Sequence, residues 1–366
     1  MELCNRELSI KIANSPNPVE VDGLEIDIRK IPDLEENGVF DPREYFIRKA
    51  MFDFKQKMPK RDAPPTVEEV RAHTKTFANN LNDKDIKEEK LTVNVKGRSI
   101  DVYFYRPQES CKDKQAVIYI HGGSFFAGKA SSYQNVCKYI SEKADAVVFN
   151  IDYSLAPENK YPAAIEDCLG LIDEIYQNSE KYGIDKNKIA LSGDSAGGNL
   201  AVATALDLPE HIAVNYLGLF YPCVDMSPGF EKYQWEESKY CIAESQRELI
   251  KSRLALGRAD GQGSNDFMQM IFYCYLPELT EEYLTKPDVS PVYADLSKLP
   301  KCTLFTCEFD GLRLQDEYFG KLLKKYGVES KVIRFNGVSH AFLDYLGILP
   351  QAEASLMIMI EDLKNL

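Results

Sequence analysis

The sequence predicts an α/β protein in which a mostly parallel central sheet is covered by helices on both faces. Two observations carry this reading. From about residue 90, runs rich in β-branched and aromatic residues (LTVNV, SIDVYFY, AVIYIHG, AVVFNID, KIALSG, VNYLGLF) recur, with helical stretches near 133–143, 162–178 and 196–206 between most of the later ones. Those later runs are almost continuously apolar, the pattern of strands buried on two sides. With 366 residues, 44% hydrophobic and 28% charged, the chain is long enough to bury a core of that kind.

Residues 1–85 read as irregular chain followed by two helices. In PREYFIRKAMFDFKQKM, Ile47, Ala50, Met51, Phe54 and Met58 share a helical face. Pro64 and Pro65 then separate a second helix, which the capping-box spacing of Thr66 and Glu69 starts. Its stripe is Val67, Val70, Thr74, Phe77 and Leu81. The strand–helix alternation stops after Asp225. Residues 226–286 are polar and largely helical, with a capping box at Ser245 and Glu248 and a turn, DGQGS, at 260–264. CTLFTCEF and KVIRFNG resume the strands, and a helix closes the chain. The expected organisation is a core of residues 86–225 and 287–366, with a helical cap made of residues 1–85 and the insertion 226–286.

The balance of 57 acidic against 44 basic side chains leaves a net charge of −13, which repels phosphate backbones and anionic membranes. Charges are scattered through MELCNRELSIKIANS, so no signal peptide is expected, and no window reaches the eighteen apolar residues of a membrane span. Nine cysteines, widely spread and without a C-x-x-C pair, read as buried thiols. The histidines and cysteines show no metal-ligand spacing. A cytoplasmic protein without metal is expected; homo-oligomerisation is left open.

The most informative segment is KIALSGDSAGGNLAVATAL, where Gly193-Asp194-Ser195-Ala196-Gly197 forms G-x-S-x-G between a strand and a helix. A serine at such a turn sits in a strained conformation with its hydroxyl exposed above the sheet, and the glycines avoid collisions with strand and helix. An attack by Ser195 on a carbonyl creates an oxyanion, which needs positioned N–H donors. Gly122 and Gly123, in AVIYIHGGSFFAG, together with Ala196 are the candidates. Asp194 is read as a brace for the turn.

A serine needs a base, and the chain has four histidines: His73, His121, His211 and His340. His73 falls on a cap helix, His211 in a polar loop, and His121 at the end of a buried strand, where it organises the loop. His340 lies in a loop between the last strand and the last helix. Asp310 follows the preceding strand, so both emerge at the carboxyl edge of the sheet, where α/β folds place their ligands. Glu308 would point to the opposite face, and Asp316 lies in the start of a helix.

In sum, HGGSFFAG, DYSLAPENKYPAAIEDC, LSGDSAGGNLA, LFYPCVD, DVSPVYADLSKLP, CEFDGLR and SHAF, spread over about residues 95–345, resemble the hormone-sensitive-lipase-like esterases of the α/β-hydrolase superfamily. The resemblance implies cofactor-free hydrolysis of small-molecule carboxylic esters, usually with short acyl chains. It carries over Ser195 as nucleophile, Asp310 as acid, His340 as base, and Gly122, Gly123 and Ala196 as oxyanion donors. Two departures stand out. Ser154 replaces the arginine of the family's D-Y-R-L-A-P-E, removing an ion pair, and two extra residues after Asp310 are expected to lengthen that turn. Phe125, Phe126 and Tyr221 are candidates for the substrate pocket, with ordinary core packing as the competing reading. An aminopeptidase or acyl-peptide hydrolase on the same fold is the alternative function. A non-catalytic ligand receptor is a more remote one, because such receptors lose the histidine that His340 supplies.

Overall fold

A computed structural model describes residues 6–58, 64–108, 112–227, 236–255 and 266–366. Its centre is a ten-stranded sheet, formed by β1 (Pro18–Val21), β2 (Leu24–Arg29), β3 (Ile86–Val95), β4 (Arg98–Pro107), β5 (Lys114–Ile120), β6 (Val147–Asp152), β7 (Ile184–Asp194), β8 (Tyr216–Phe220), β9 (Lys301–Phe309) and β10 (Ser330–Ser339). The spatial order is β1-β2-β10-β9-β8-β7-β5-β6-β4-β3. From β6 through β5, β7, β8, β9 and β10 to β2 every pairing is parallel, and the antiparallel pairings are confined to the two ends.

The apolar runs are buried on both sides as their composition requires. β8 is buried throughout and β9 in all but its first residue. Among the described residues, helices α1 (Arg6–Ala13), α2 (Pro42–Lys57), α3 (Val67–His73), α4 (Gln134–Ala144), α5 (Ala163–Gln177), α6 (Ser179–Tyr182), α7 (Ala196–Asp207), α8 (Arg247–Leu254), α9 (Asp266–Tyr275), α10 (Glu281–Leu284), α11 (Arg313–Lys325) and α12 (Pro350–Lys364) surround the sheet. On one face Ile118, Leu191 and Leu304 meet Ile172 of α5, Leu200 of α7 and Phe319 of α11. On the other, Val117, Tyr119 and Phe305 meet Val136 of α4 and Leu356 of α12. After β5 the chain turns to β6 on one side and then crosses to β7 on the other. The carboxyl ends of β5 and β7 therefore flank the switch point, where such sheets leave a crevice.

Residues 1–85 differ from the reading of irregular chain followed by two helices, because the first part carries two strands. Val21-Asp22-Gly23-Leu24 forms a tight hairpin with positive φ at Asp22 (49°) and Gly23 (84°), and the resulting β2 extends the sheet beside β10. In α2 only Ile47 of the proposed stripe is buried. Ala50 faces solvent, as do Met51 (53% exposed), Phe54 (66%) and Met58, while the inward side carries Glu44 and Arg48, joined at 2.8 Å. The Thr66–Glu69 capping box is present. The helix it starts ends at His73, however, so Phe77 and Leu81 are in extended chain, where the Phe77 amide donates to the Asp344 carbonyl. Ser245 caps nothing: a 3₁₀ turn over Glu244–Gln246 precedes α8, and the Gln246 side chain accepts from the Phe40 amide. The DGQGS turn lies outside the described residues.

Candidate active site

β7 runs straight into α7 through Ser195, whose φ of 54° and ψ of −118° put it where a residue with a side chain is strained. The turn is held because the Ser195 amide donates to the Phe220 carbonyl of β8 at 2.9 Å. Its glycines are sterically required. A Cβ on Gly197 would stand 2.0 Å from the Ile120 carbonyl oxygen, and one on Gly193 would stand 2.5 Å from the Gly197 oxygen.

β10 loses its regular register to β9 between Phe335 and Ser339, and Ala341 follows at φ 66°, so the chain turns sharply around His340. The His340 Nε2 lies 2.9 Å from Ser195 Oγ, and its Nδ1 lies 2.7 Å from Asp310 Oδ2. Asp310 is fully buried, and its second oxygen accepts from the Leu312 amide at 2.9 Å. The histidine side chain keeps 21% of its surface open. With Nδ1–H donating to the carboxylate, Nε2 is left to accept the serine proton. Three residues spread over 145 positions of the chain are thus brought into one hydrogen-bonded line.

The other histidines are elsewhere. His73 and His211 are exposed. His121 is fully buried between Tyr153 (4.4 Å) and Tyr133 (6.1 Å), with Nδ1 2.7 Å from the Gly122 carbonyl. Burial lowers its pKa, which keeps the ring neutral.

Asp194 accepts from the Tyr119 hydroxyl (2.9 Å) and the Gly122 amide (2.9 Å) on one oxygen, and from the Tyr133 hydroxyl (3.0 Å) on the other. Burial pushes its carboxyl up to about 6 despite these donors. The contact corrects one site expectation: the Gly122 N–H is committed to Asp194 and is not free to meet an oxyanion. Among the described residues, the amides of Gly123 and Ala196 are not taken up in this way. Gly123, at φ 133°, tolerates no side chain, since its Cβ would stand 2.0 Å from the Ala127 carbonyl.

The three pocket candidates are packing residues. Phe125 (1% exposed) stacks on Tyr275 of α9 with ring centres 3.9 Å apart, and the fully buried Phe126 meets Phe267 edge-on at 6.1 Å. Tyr221 is fully buried beneath His340, with ring centres 4.8 Å apart. None of the three presents a wall to solvent. The turn after Asp310 is not lengthened either, because α11 begins at Arg313 and takes up the residues that seemed additional. Where Ser154 stands for arginine, its amide donates to Asp167 at 2.8 Å, and Arg98 reaches over from β4 to pair with that same carboxylate.

Two supporting residues were missed in the sequence. The Gln315 side-chain oxygen accepts from the Val224 and Asp225 amides at 2.7 and 2.9 Å, tying α11 to the loop after β8. The Tyr240 hydroxyl donates to the Asp310 carbonyl at 3.0 Å. A polar residue on the inward face of an amphipathic helix was the available signal for Gln315; nothing local marks Tyr240.

A model of the α/β hydrolase fold matches residues 117–344. An arylesterase of Saccharolobus solfataricus is 30% identical over 256 residues, covering 69% of this chain and 76% of that protein. Arylacetamide deacetylase of Bos taurus is 30% identical over 292 residues, covering 68% and 73%. Among solved structures, a hyperthermophilic esterase from Pyrobaculum calidifontis superposes with a TM-score of 0.70 at 29% identity, over 89% of this chain and 98% of that one.

Proposed function

Because the chain belongs to the hormone-sensitive-lipase-like esterases of the α/β-hydrolase family, we propose that it is a serine carboxylesterase cleaving short-acyl esters through an acyl-serine intermediate. The observation that carries the reading is the hydrogen-bonded line from Ser195 Oγ through His340 to Asp310. In the first step Ser195 Oγ bonds to the ester carbonyl carbon while His340 Nε2 takes its proton. The imidazolium then gives that proton to the departing alkoxide, so an alcohol leaves and an acyl-serine remains. Water repeats the path, its proton passing through His340 back to Ser195, and the carboxylic acid is released. Asp310 keeps Nδ1 protonated and stabilises the imidazolium. For the oxyanion we assign the amides of Gly123 and Ala196. Ser124, next in the same turn with φ 56°, takes the place expected for Gly122.

We further propose that residues 1–85 and 226–286 form the cap, with β1 and β2 excepted because they belong to the sheet. A reducing, cytoplasmic setting suits the seven cysteines among the described residues, which all carry free thiols. None of the described helices is long and apolar enough to cross a membrane.

The test is a panel of p-nitrophenyl esters of increasing acyl length beside aminoacyl p-nitroanilides. Acetate and butyrate esters should turn over fastest, and Ser195→Ala should abolish that turnover. Cleavage of the anilides without the esters would replace this reading by a peptidase.

A further inference from the structure

The loops bearing Asp310 and His340 are gripped from outside the core by side chains of both flanking segments. Tyr240 holds the Asp310 carbonyl, with the Arg313 guanidinium 4.0 Å above its ring. On the histidine side, Arg253 of α8 donates from Nε to Ser339 Oγ at 3.1 Å and from Nη2 to the His340 carbonyl at 3.3 Å. The Ser339 hydroxyl passes the contact on, donating to Glu44 Oε1 at 2.6 Å. The same oxygen accepts from Arg48 Nε at 2.8 Å, and Arg48 Nη2 approaches the His340 carbonyl at 3.4 Å. Two guanidinium groups, one from each flanking segment, therefore meet at the backbone of the residue whose imbalance would misplace the imidazole.

The β9–β10 ladder becomes irregular before Ser339, and Ala341 beyond His340 is left-handed, so the 340 carbonyl stands outside the sheet. Arg48 is already paired with Glu44 and lies over the Tyr345 ring at 5.0 Å. Arg253 forms no ion pair with any carboxylate among the described residues, and its hydrogen bonds go to Ser339 and His340. Burial, with the like charge of Arg48, lowers its pKa to about 10, so it remains a cation at neutral pH. Docking of α8 rests mainly on Leu249, Ile250 and Leu254, which pack with Phe40 and Phe309. Removing the guanidinium should thus leave the helix in place.

We propose that Arg253 is a positioning residue for His340: by holding the histidine's carbonyl and the preceding hydroxyl, it sets the imidazole's approach to Ser195 and makes turnover depend on the seated insertion. This rests on the reading of His340 as the base. A displacement of about 1 Å in a reacting group can cost on the order of a hundredfold in rate, so a partial loss of this grip should be measurable.

The experiment compares wild type, Ser195→Ala, Arg253→Met and Arg253→Lys. Active sites are first counted by end-point titration with a p-nitrophenyl phosphonate. Rates per titrated site and KM are then measured on p-nitrophenyl acetate, with a thermal melt of each protein. Arg253→Met should lose about tenfold or more in kcat per site, with KM within about twofold, and Arg253→Lys should keep more activity because it retains a charged donor. The proposal is overturned if Arg253→Met matches wild type per titrated site, or if its loss is wholly explained by fewer titratable sites. A wild-type protein inert toward every ester would remove the esterase reading and this proposal with it. An active wild type beside an unaffected Arg253→Met removes this proposal alone.

Discussion

Asp194 holds the Gly122 amide beside the proposed oxyanion donors, and its removal separates loop geometry from fold stability. Asp194→Ala leaves three buried donors without their acceptor: the Tyr119 and Tyr133 hydroxyls and the Gly122 amide. At roughly 1–3 kcal/mol for each of the three orphaned donors, the direct loss is on the order of 3–9 kcal/mol. Against it stands the relief of a charge that burial disfavours. The carboxyl is raised to about 6 from 3.8, and at 1.36 kcal/mol per unit its ionisation above pH 6 costs the fold about 3 kcal/mol. The net destabilisation at pH 8 should therefore be about 0–6 kcal/mol, some 3 kcal/mol below the direct loss. Catalysis has no such offset. Without Asp194 the Gly122 peptide is free to tilt and carries Gly123 with it, and losing one oxyanion donor typically costs about a hundredfold or more in kcat. Urea unfolding at pH 8 should show a loss of no more than about 6 kcal/mol, while kcat per titrated site falls at least about a hundredfold. Asp194→Asn, which keeps an acceptor for the Gly122 amide and sheds the charge, should retain most of the activity. An Asp194→Ala protein within twofold of wild-type kcat would refute the brace.

Two more predictions concern the core. Gly197→Ala forces a Cβ to within 2.0 Å of the Ile120 oxygen and 2.6 Å of the His121 oxygen, both backbone, so α7 must part from the end of β5. Chemical denaturation should show a loss of about 2 kcal/mol or more, with activity lost as well. Glu308 is buried and pushed up to about 7, so between about pH 4.5 and 7 the folded protein keeps a proton that the unfolded chain has released. Its contribution to stability is then present below that window and lost as pH rises through it. Glu308→Gln should abolish this slope, gaining up to about 3 kcal/mol on wild type between pH 5 and pH 8; an unchanged difference across that range would count against the assignment.

The meeting of Ser195, His340 and Asp310 was legible because each sits in a locally coded turn: G-x-S-x-G after β7, and the ends of β9 and β10 for Asp310 and His340. The role of Gly122 was not, since it depends on where the Asp194 carboxylate points, and that is set by tyrosines from β5 and the turn before α4. Periodicity misplaced the inward face of α2 for a related reason. Glu44 and Arg48 bury their charges against the His340 loop, and a polar network there outweighs the apolar stripe that solvent now covers. The β1–β2 hairpin did have a local signal, Asp-Gly between alternating residues, at Asp22-Gly23. Phe125 and Phe126 look like a pocket wall in one dimension and become core once α9 packs over them.

The central claim is that Ser195 is the nucleophile and His340 its base. Incubating the protein with a p-nitrophenyl phosphonate, digesting it and mapping the adduct by mass spectrometry tests this most directly. One phosphonyl group per chain should appear on the peptide containing Ser195, and His340→Ala should slow labelling by about a thousandfold or more. Stoichiometric label on another residue, or labelling of His340→Ala at the wild-type rate, would contradict the account.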